Sequence, residues 1–247
     1  MFRLAVKRGT LTAVPSMEML KEAPARSGFF EPAQYETVRR RLPSDLRVAV
    51  TIAYTFGWRI KSEVLSLERR HVDLDAGTLR LDAGMAKNDE PRVVYLTPEL
   101  KSLLTEQLAR LDALARRTGR IIPWLFPHLT GRLVGTKRCG FARAWRTACR
   151  RAGVPGRLLH DFRRTAVRNL ERASVPRAVA MKLTGHKTES VYRRYAIVND
   201  QDLREATLRL AGTISGTMAF QGLDTRPVTP QNVSGEALAQ PGRAPAF

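Results

Sequence analysis

The sequence predicts a mainly α-helical domain with a small antiparallel β-sheet, an α+β chain. Three observations predict it. Apolar residues recur at helical spacing in segment after segment, only two short stretches (VDLDAGTLRLD and EPRVVYL) alternate with a period of two, and 43% apolar content in 247 residues suffices for a buried core.

The elements are justified in order along the chain. Residues 1–29 hold a fragment of apolar pattern (Phe2, Leu4, Val6) followed by Gly9, Pro15, Pro24 and Gly28, too little for a domain. EPAQYETVRRRL predicts a helix with Pro32 in its first turn. Pro43 ends it before a second helix, SDLRVAVTIAYTF, with Ser44 as the expected N-cap. GWRIKSEVLSL reads as a short helix. The two alternating stretches, with turn residues at 75–77 and 88–91, predict about three antiparallel strands. TPELKSLLTEQLARLDALARRTG is a long helix with Thr97 as N-cap, Pro98 at the first position and Gly119 as stop. Beyond LFPHLTGRLVGTK, helices are expected at FARAWRTACRRAG, LLHDFRRTAVRNLERA and PRAVAMKLTG, around SVYRRYAIV, and at DQDLREATLRLAG. The tail, 213–247, has four prolines, little charge and no periodicity, and reads as disordered.

Charge narrows the partners. A formal net charge of +19 attracts polyanions through phosphate contacts and counterion release, so nucleic acid leads, although arginine-rich composition alone can raise a pI. The distribution favours the functional reading: residues 137–182 carry thirteen Lys or Arg against Asp161 and Glu171, whereas 213–247 are neutral. No apolar run reaches about 18 residues and no secretory pattern opens the chain, so a soluble, cytoplasmic protein with no membrane partner is expected. Cys139 and Cys149 lack the paired spacing of a metal site and read as reduced thiols. In FARAWRTACRRAG, Phe141, Trp145 and Cys149 form one helical stripe while Arg143, Arg146 and Arg150 form another, so one face packs and the other can meet phosphate.

Few residues can carry chemistry. His160 and Arg163 stand at i, i+3 on an expected helix, placing imidazole and guanidinium on one edge, a pair that can hold phosphate or arise by chance among so many arginines. His186 follows Gly185, which can end a helix and project the histidine from a turn, where a merely solvated side chain is the common outcome. Tyr192 and Tyr195 stand six and nine residues after His186.

The order Arg59, Lys87, His160-x-x-Arg163, Gly185-His186 and Tyr195 resembles the catalytic set of the tyrosine recombinases of the phage integrase type. In that family the first arginine opens a T-G-x-R helix start, the lysine sits in a β-hairpin turn, the H-x-x-R lies on a helix and the nucleophile stands nine residues past the second histidine. The likeness covers about residues 30–210, and 30–212 is the expected catalytic domain. The resemblance implies a site-specific recombinase or integrase, working as a homo-tetramer on paired sites in double-stranded DNA, without metal or other cofactor. Tyr195 would be the nucleophile, Arg59 and Arg163 would clamp the phosphate, His160 would be the base, His186 a donor to the phosphate and Lys87 the acid for the leaving oxygen. Arg143, Arg146, Arg150, Arg164 and Arg168 would contact backbone phosphates. Tyr192 would pack.

Two departures accompany the likeness. The family's arginine is followed three residues later by glutamate, whereas Glu63 stands four after Arg59, a spacing that still lets the carboxylate orient the arginine on a helix. Relatives also carry a helical core-binding domain ahead of the catalytic one, so residues 1–29 read as its last helix and linker. The alternative is a noncatalytic DNA-binding remnant or regulator. A type IB topoisomerase shares the chemistry but not the His186 to Tyr195 spacing.

Overall fold

A computed structural model describes residues 2–16, 28–85, 90–196, 203, 204, 206–208, 210 and 211. It divides into two units, Met1–Ile197 and Val198–Phe247. In the second, the described residues are helical, as DQDLREATLRLAG predicts, and the expected disordered tail lies outside the described residues. Everything that follows concerns the first.

Helix α1 (Phe2–Lys7) buries no residue. Helix α2 (Pro32–Arg40) starts on Pro32, with Glu31 and Gln34 forming a capping box around its first turn. Helix α3 (Ser44–Phe56) is the central one, burying residues on nearly every side and packing against α4 (Pro98–Thr118) and α6 (Asp161–Arg172). Its N-cap is Pro43 rather than the expected Ser44, which is already the first helical residue. Gly57 ends it at φ 70°, a left-handed conformation that glycine adopts without cost. The same glycine permits close approach, since a Cβ there would lie 3.1 Å from the Ala166 Cβ on α6.

The stretch after Gly57 departs from expectation. It forms tight turns and a 3₁₀ helix, Val64–Ser66, instead of the short α-helix predicted for GWRIKSEVLSL. Ile60, Val64, Leu65 and Leu67 are all buried there, so tertiary packing overrides the helical period. A three-stranded antiparallel sheet follows, in the order β1 (Val72–Asp73), β2 (Thr78–Leu81), β3 (Arg92–Tyr95). Register pairs Leu79 with Val94 and Leu81 with Arg92, so Leu79, Leu81, Val94 and Arg92 face inward. The arginine among these apolar neighbours becomes important below.

Helix α4 keeps its expected ends, with Thr97 Oγ1 accepting from the Leu100 amide at 3.2 Å and Gly119 at φ 65°. On α5 (Ala142–Arg151), Trp145 and Cys149 are buried beside Phe141, while Arg143, Arg146 and Arg150 are exposed. Helix α6 is pinned by Phe162, which stacks on Phe30 with ring centroids 5.0 Å apart and meets Trp145 edge-on at 5.2 Å. Helices α7 (Arg177–Thr184) and α8 (Glu189–Arg193) complete the unit. The large core gathers residues from α2 to α6 and the sheet; Val167, Ala180 and Tyr192 form a second, small cluster.

Candidate active site

Arg59 leaves the α3 terminus in the turn that replaces the predicted helix. The Glu63 carboxylate accepts from both its backbone amide and its Nη1, each at 2.8 Å. A tight turn thus achieves the i, i+4 contact expected of a helix. Glu63 is fully buried and also accepts from Arg92 Nη2 at 2.9 Å. Burial alone would raise its pKa, but the Arg92 and Arg59 charges outweigh that and hold the carboxyl below the usual range, so it stays ionised. About a quarter of the Arg59 side chain remains exposed.

Arg163 is only 2% exposed. Its Nη1 donates to the carbonyls of Gly57 (2.9 Å) and Thr184 (2.8 Å), which close off α3 and α7, and its Nε donates to His186 Nε2 at 3.1 Å. The remaining nitrogen, Nη2, is buried and finds no protein acceptor among the described residues. Burial and the nearby Arg59 charge lower the Arg163 pKa, the signature of cations gathered with one carboxylate between them. Such a cluster is completed by an anion. Planar guanidinium forks suit a phosphate best.

Gly185 ends α7 at φ 70° and turns the chain so that His186 points inward, 6% exposed. Thr184 Oγ1 donates to the Ala180 carbonyl at 2.8 Å, so it accepts from His186 Nδ1 at 2.7 Å, which fixes the proton on Nδ1 and leaves Nε2 to accept from Arg163. Burial, with Arg163, Arg59 and Arg92 around it, pushes the imidazole down to about 3. His186 is therefore neutral, with both nitrogens engaged inside the protein. The hydrogen bond from Arg163 Nε to His186 Nε2 ties the two expected phosphate-binding side chains together.

His160 is the N-cap residue of α6 and is solvent-exposed. Desolvation, followed by the charges of Arg163, Arg164 and Arg59, lowers its pKa below the ordinary 6.5. Its Nε2 lies 3.4 Å from the Tyr195 hydroxyl, a long reach that a small movement would close. The Arg163 guanidinium sits 5.7 Å from the centre of the Tyr195 ring, and the His186 ring lies 5.0 Å away on another side. A cleft of about 270 Å³ opens beside these groups, lined by Trp58, Arg59, Ser62, His160 and Arg163. The larger groove between β3 and α7, about 570 Å³, touches His186 and Arg92 but not Tyr195.

The two tyrosines part company. Tyr192 is fully buried with its ring 5.3 Å from His186; its hydroxyl lies by Glu171 without closing a hydrogen bond. Burial and the Glu171 charge raise its pKa, so it resists ionisation. Tyr195 is half-buried and reaches the cation cluster.

Of the sequence-predicted residues, the structure gathers Arg59, His160, Arg163, His186 and Tyr195 at one place. Lys87 lies outside the described residues. Arg143, Arg146 and Arg150 point outward from α5, and Arg164 is half-buried, with Nε and Nη1 covered and unmatched by acceptors among the described residues. Arg168 is a correction. It is 3% exposed, donates to Glu31 Oε1 (2.8 Å) and the Phe30 carbonyl (2.9 Å), and lies 3.7 Å from the centre of the Phe29 ring, so it clamps residues 29–31 onto α6 and has no face left for DNA. Sequence reasoning missed Arg92, whose only signal was a charge at an inward position of an alternating strand.

No helix among the described residues is long and apolar enough to cross a membrane. The phage integrase family model matches residues 32–202. The chain is 24% identical over 216 residues to the integrase of Salmonella phage P22, covering 84% of this chain and 53% of that protein, so it spans about half the relative's length. Among solved structures, XerA recombinase superposes with a TM-score of 0.61 at 20% identity, over 76% of this chain and 66% of that one. A lambda integrase fragment, solved as a dimer bound to a COC′ core site, gives 0.56 at 18% identity, over 79% and 69%. At these identities the structures establish the fold, a tyrosine recombinase catalytic domain. The matched span takes in every element from α2 to α8 and all five gathered residues, and the chain belongs to the phage integrase family.

Proposed function

We propose that this chain cuts and rejoins DNA strands through a 3′-phosphotyrosine, as a site-specific recombinase or integrase acting on double-stranded DNA. One observation carries the proposal: the Tyr195 hydroxyl stands 3.4 Å from a neutral-leaning His160 and beside Arg163, whose buried Nη2 has no acceptor among the described residues. Phosphoryl transfer needs in-line positioning and charge stabilisation on the equatorial oxygens more than covalent machinery. Arg59 and Arg163 supply that charge. His160 takes the phenol proton as the Tyr195 oxygen bonds to phosphorus, and the bond from phosphorus to the 5′ oxygen breaks. Lys87, in the connection between β2 and β3, is assigned the proton for that leaving oxygen. A free 5′ hydroxyl from another strand reverses the steps, and the phosphotyrosine conserves the bond energy.

The exposed arginines of α5 and Arg164 are assigned to backbone phosphates, which position DNA without reading it. Assembly as a tetramer on paired sites belongs to the same proposal; a lambda integrase dimer on its core site supports, by likeness, DNA binding by more than one copy. The test is covalent trapping. A labelled pool of nicked duplexes with randomised arms, which strands the intermediate when the short cleaved piece diffuses away, is incubated with the protein in EDTA. A protein-DNA adduct stable to denaturant is expected. Gel retardation without any adduct would leave a DNA-binding protein and defeat the strand-transfer reading.

A further inference from the structure

Arg92 is a charged residue that the mechanism above does not use, and it is deeply placed. It opens β3 at an inward register position, opposite Leu81, and is 8% exposed. Its guanidinium meets two segments at three points. Nη2 donates to Glu63 Oε1 at 2.9 Å, Nη1 donates to the Thr184 carbonyl at 3.2 Å, and the group lies 5.5 Å from the centre of the Trp58 ring. Glu63 Oε1 is the same oxygen that holds Arg59 Nη1, and the Thr184 carbonyl is the same one that holds Arg163 Nη1. Arg92 therefore shares one acceptor with each arginine of the candidate phosphate clamp.

Gly185 supplies an independent sign that this fit is built in. A Cβ at that position would lie 2.4 Å from Arg92 Nη1, 2.5 Å from its Cζ and 2.8 Å from its Nε, so the turn that delivers His186 has a glycine where the Arg92 guanidinium rests. The positive φ of 70° already favours glycine, and the contact adds a second reason. Flanking it, Lys187 pairs with Glu90 at 3.3 Å, joining the same turn to the strand approach two residues before Arg92.

We infer that Arg92 is a positioning residue, a buried tie that fixes the Glu63 carboxylate and the turn 184–186 relative to one another and so sets the spacing of Arg59, Arg163 and His186 around the anion. The inference rests on the reading of this site as a phosphate clamp. Arg92 does not line the cleft beside His160 and Arg163. It acts through the acceptors it shares.

Two arms test it. Tungstate, a phosphate mimic, is titrated calorimetrically into wild type, Arg92→Gln and Arg92→Lys. Both variants should weaken it about tenfold, a mid-range coupling for residues in one ionic network. Arg92→Lys keeps the charge but loses the fork, so it serves where Arg92→Gln does not fold. The second arm needs no ligand: the His186 Nδ1–H resonance, sheltered by Thr184 in wild type, should broaden or exchange away in each folded variant while α4 amides keep their shifts. Wild-type tungstate affinity in a folded variant overturns the inference, as does an unchanged His186 signal. If wild type itself does not bind tungstate, the phosphate reading falls, and the imidazole signal alone decides whether Arg92 positions the turn.

Discussion

The arginines and the tyrosine of the candidate site are held by different parts of the molecule. Arg59 and Arg163 grow out of the large core: Trp58 and Phe162, their neighbours in sequence, are each 1% exposed and packed within it. Tyr195 instead leans on the small cluster of Val167, Ala180 and Tyr192, with Met181, Leu170 and Val175 partly buried around it. Local opening costs least where few apolar contacts must break. The arginines are thus backed by the larger apolar cluster and the tyrosine by the smaller, so the part holding Tyr195, whose hydroxyl lies 3.4 Å from His160 Nε2, is expected to open at lower cost.

The contrast breaks if both regions open together. Native-state hydrogen exchange should show α3 amides protected up to global unfolding and α8 amides exchanging well before it. On the clamp side, Phe162→Ala removes a ring stacked against Phe30 and Trp145 and should cost about 3–5 kcal/mol in denaturant melts. Equal protection in α3 and α8 would dissolve the distinction.

Gly185→Ala comes next, at the seam between the regions. A left-handed φ and a Cβ within 2.4 Å of Arg92 should together cost about 1–3 kcal/mol and disturb tungstate binding. A comparable loss, about 2–3 kcal/mol, is expected for Arg168→Ala, which strands the Phe30 carbonyl, with no change in the salt dependence of DNA binding.

Acid sharpens the picture through His186. Its folded pKa, about 3, lies below the ordinary 6.5, so between those values the unfolded chain binds a proton that the folded chain refuses. The contribution is fully present above about pH 6.5 and is lost as pH falls toward 3, with a slope of at most ~1.4 kcal/mol per pH unit. His186→Asn should flatten that slope in pH-dependent melts. The smallest effect belongs to the surface: replacing Arg143, Arg146 and Arg150 with alanine should leave stability within about 0.5 kcal/mol while lowering the salt slope of DNA binding.

How much of this was legible in the sequence depends on where each signal lives. The ends of α4 were readable because Thr97, Pro98 and Gly119 act on their own backbone, and the α5 stripes because successive residues such as Trp145 and Arg146 stand about 100° apart around a helix. His160, Arg163, His186 and Tyr195 were singled out by their resemblance to the integrase pattern, a linear order that can be read even though the side chains meet across three elements. The turn from Gly57 to Leu67 was misread as helical because its apolar spacing fits both, and the decision was made by burial against the core. Arg92 and Arg168 were missed or misassigned for one reason. An arginine reads as solvated until its partner is known, and Glu63 and Glu31 lie 29 and 137 residues away in the chain.

The central claim is that Tyr195, not Tyr192, is the group delivered to the clamp, and adduct formation by paired variants tests it most directly. Tyr192→Phe removes a buried hydroxyl that lies by Glu171 with no hydrogen bond closed among the described residues, so it should fold within about 1 kcal/mol of wild type. Incubated with the same nicked duplex pool, Tyr192→Phe is predicted to form the denaturant-stable adduct at a rate near wild type, and Tyr195→Phe to form none while binding DNA normally. An adduct from Tyr195→Phe, or its loss from Tyr192→Phe alone, would contradict the account.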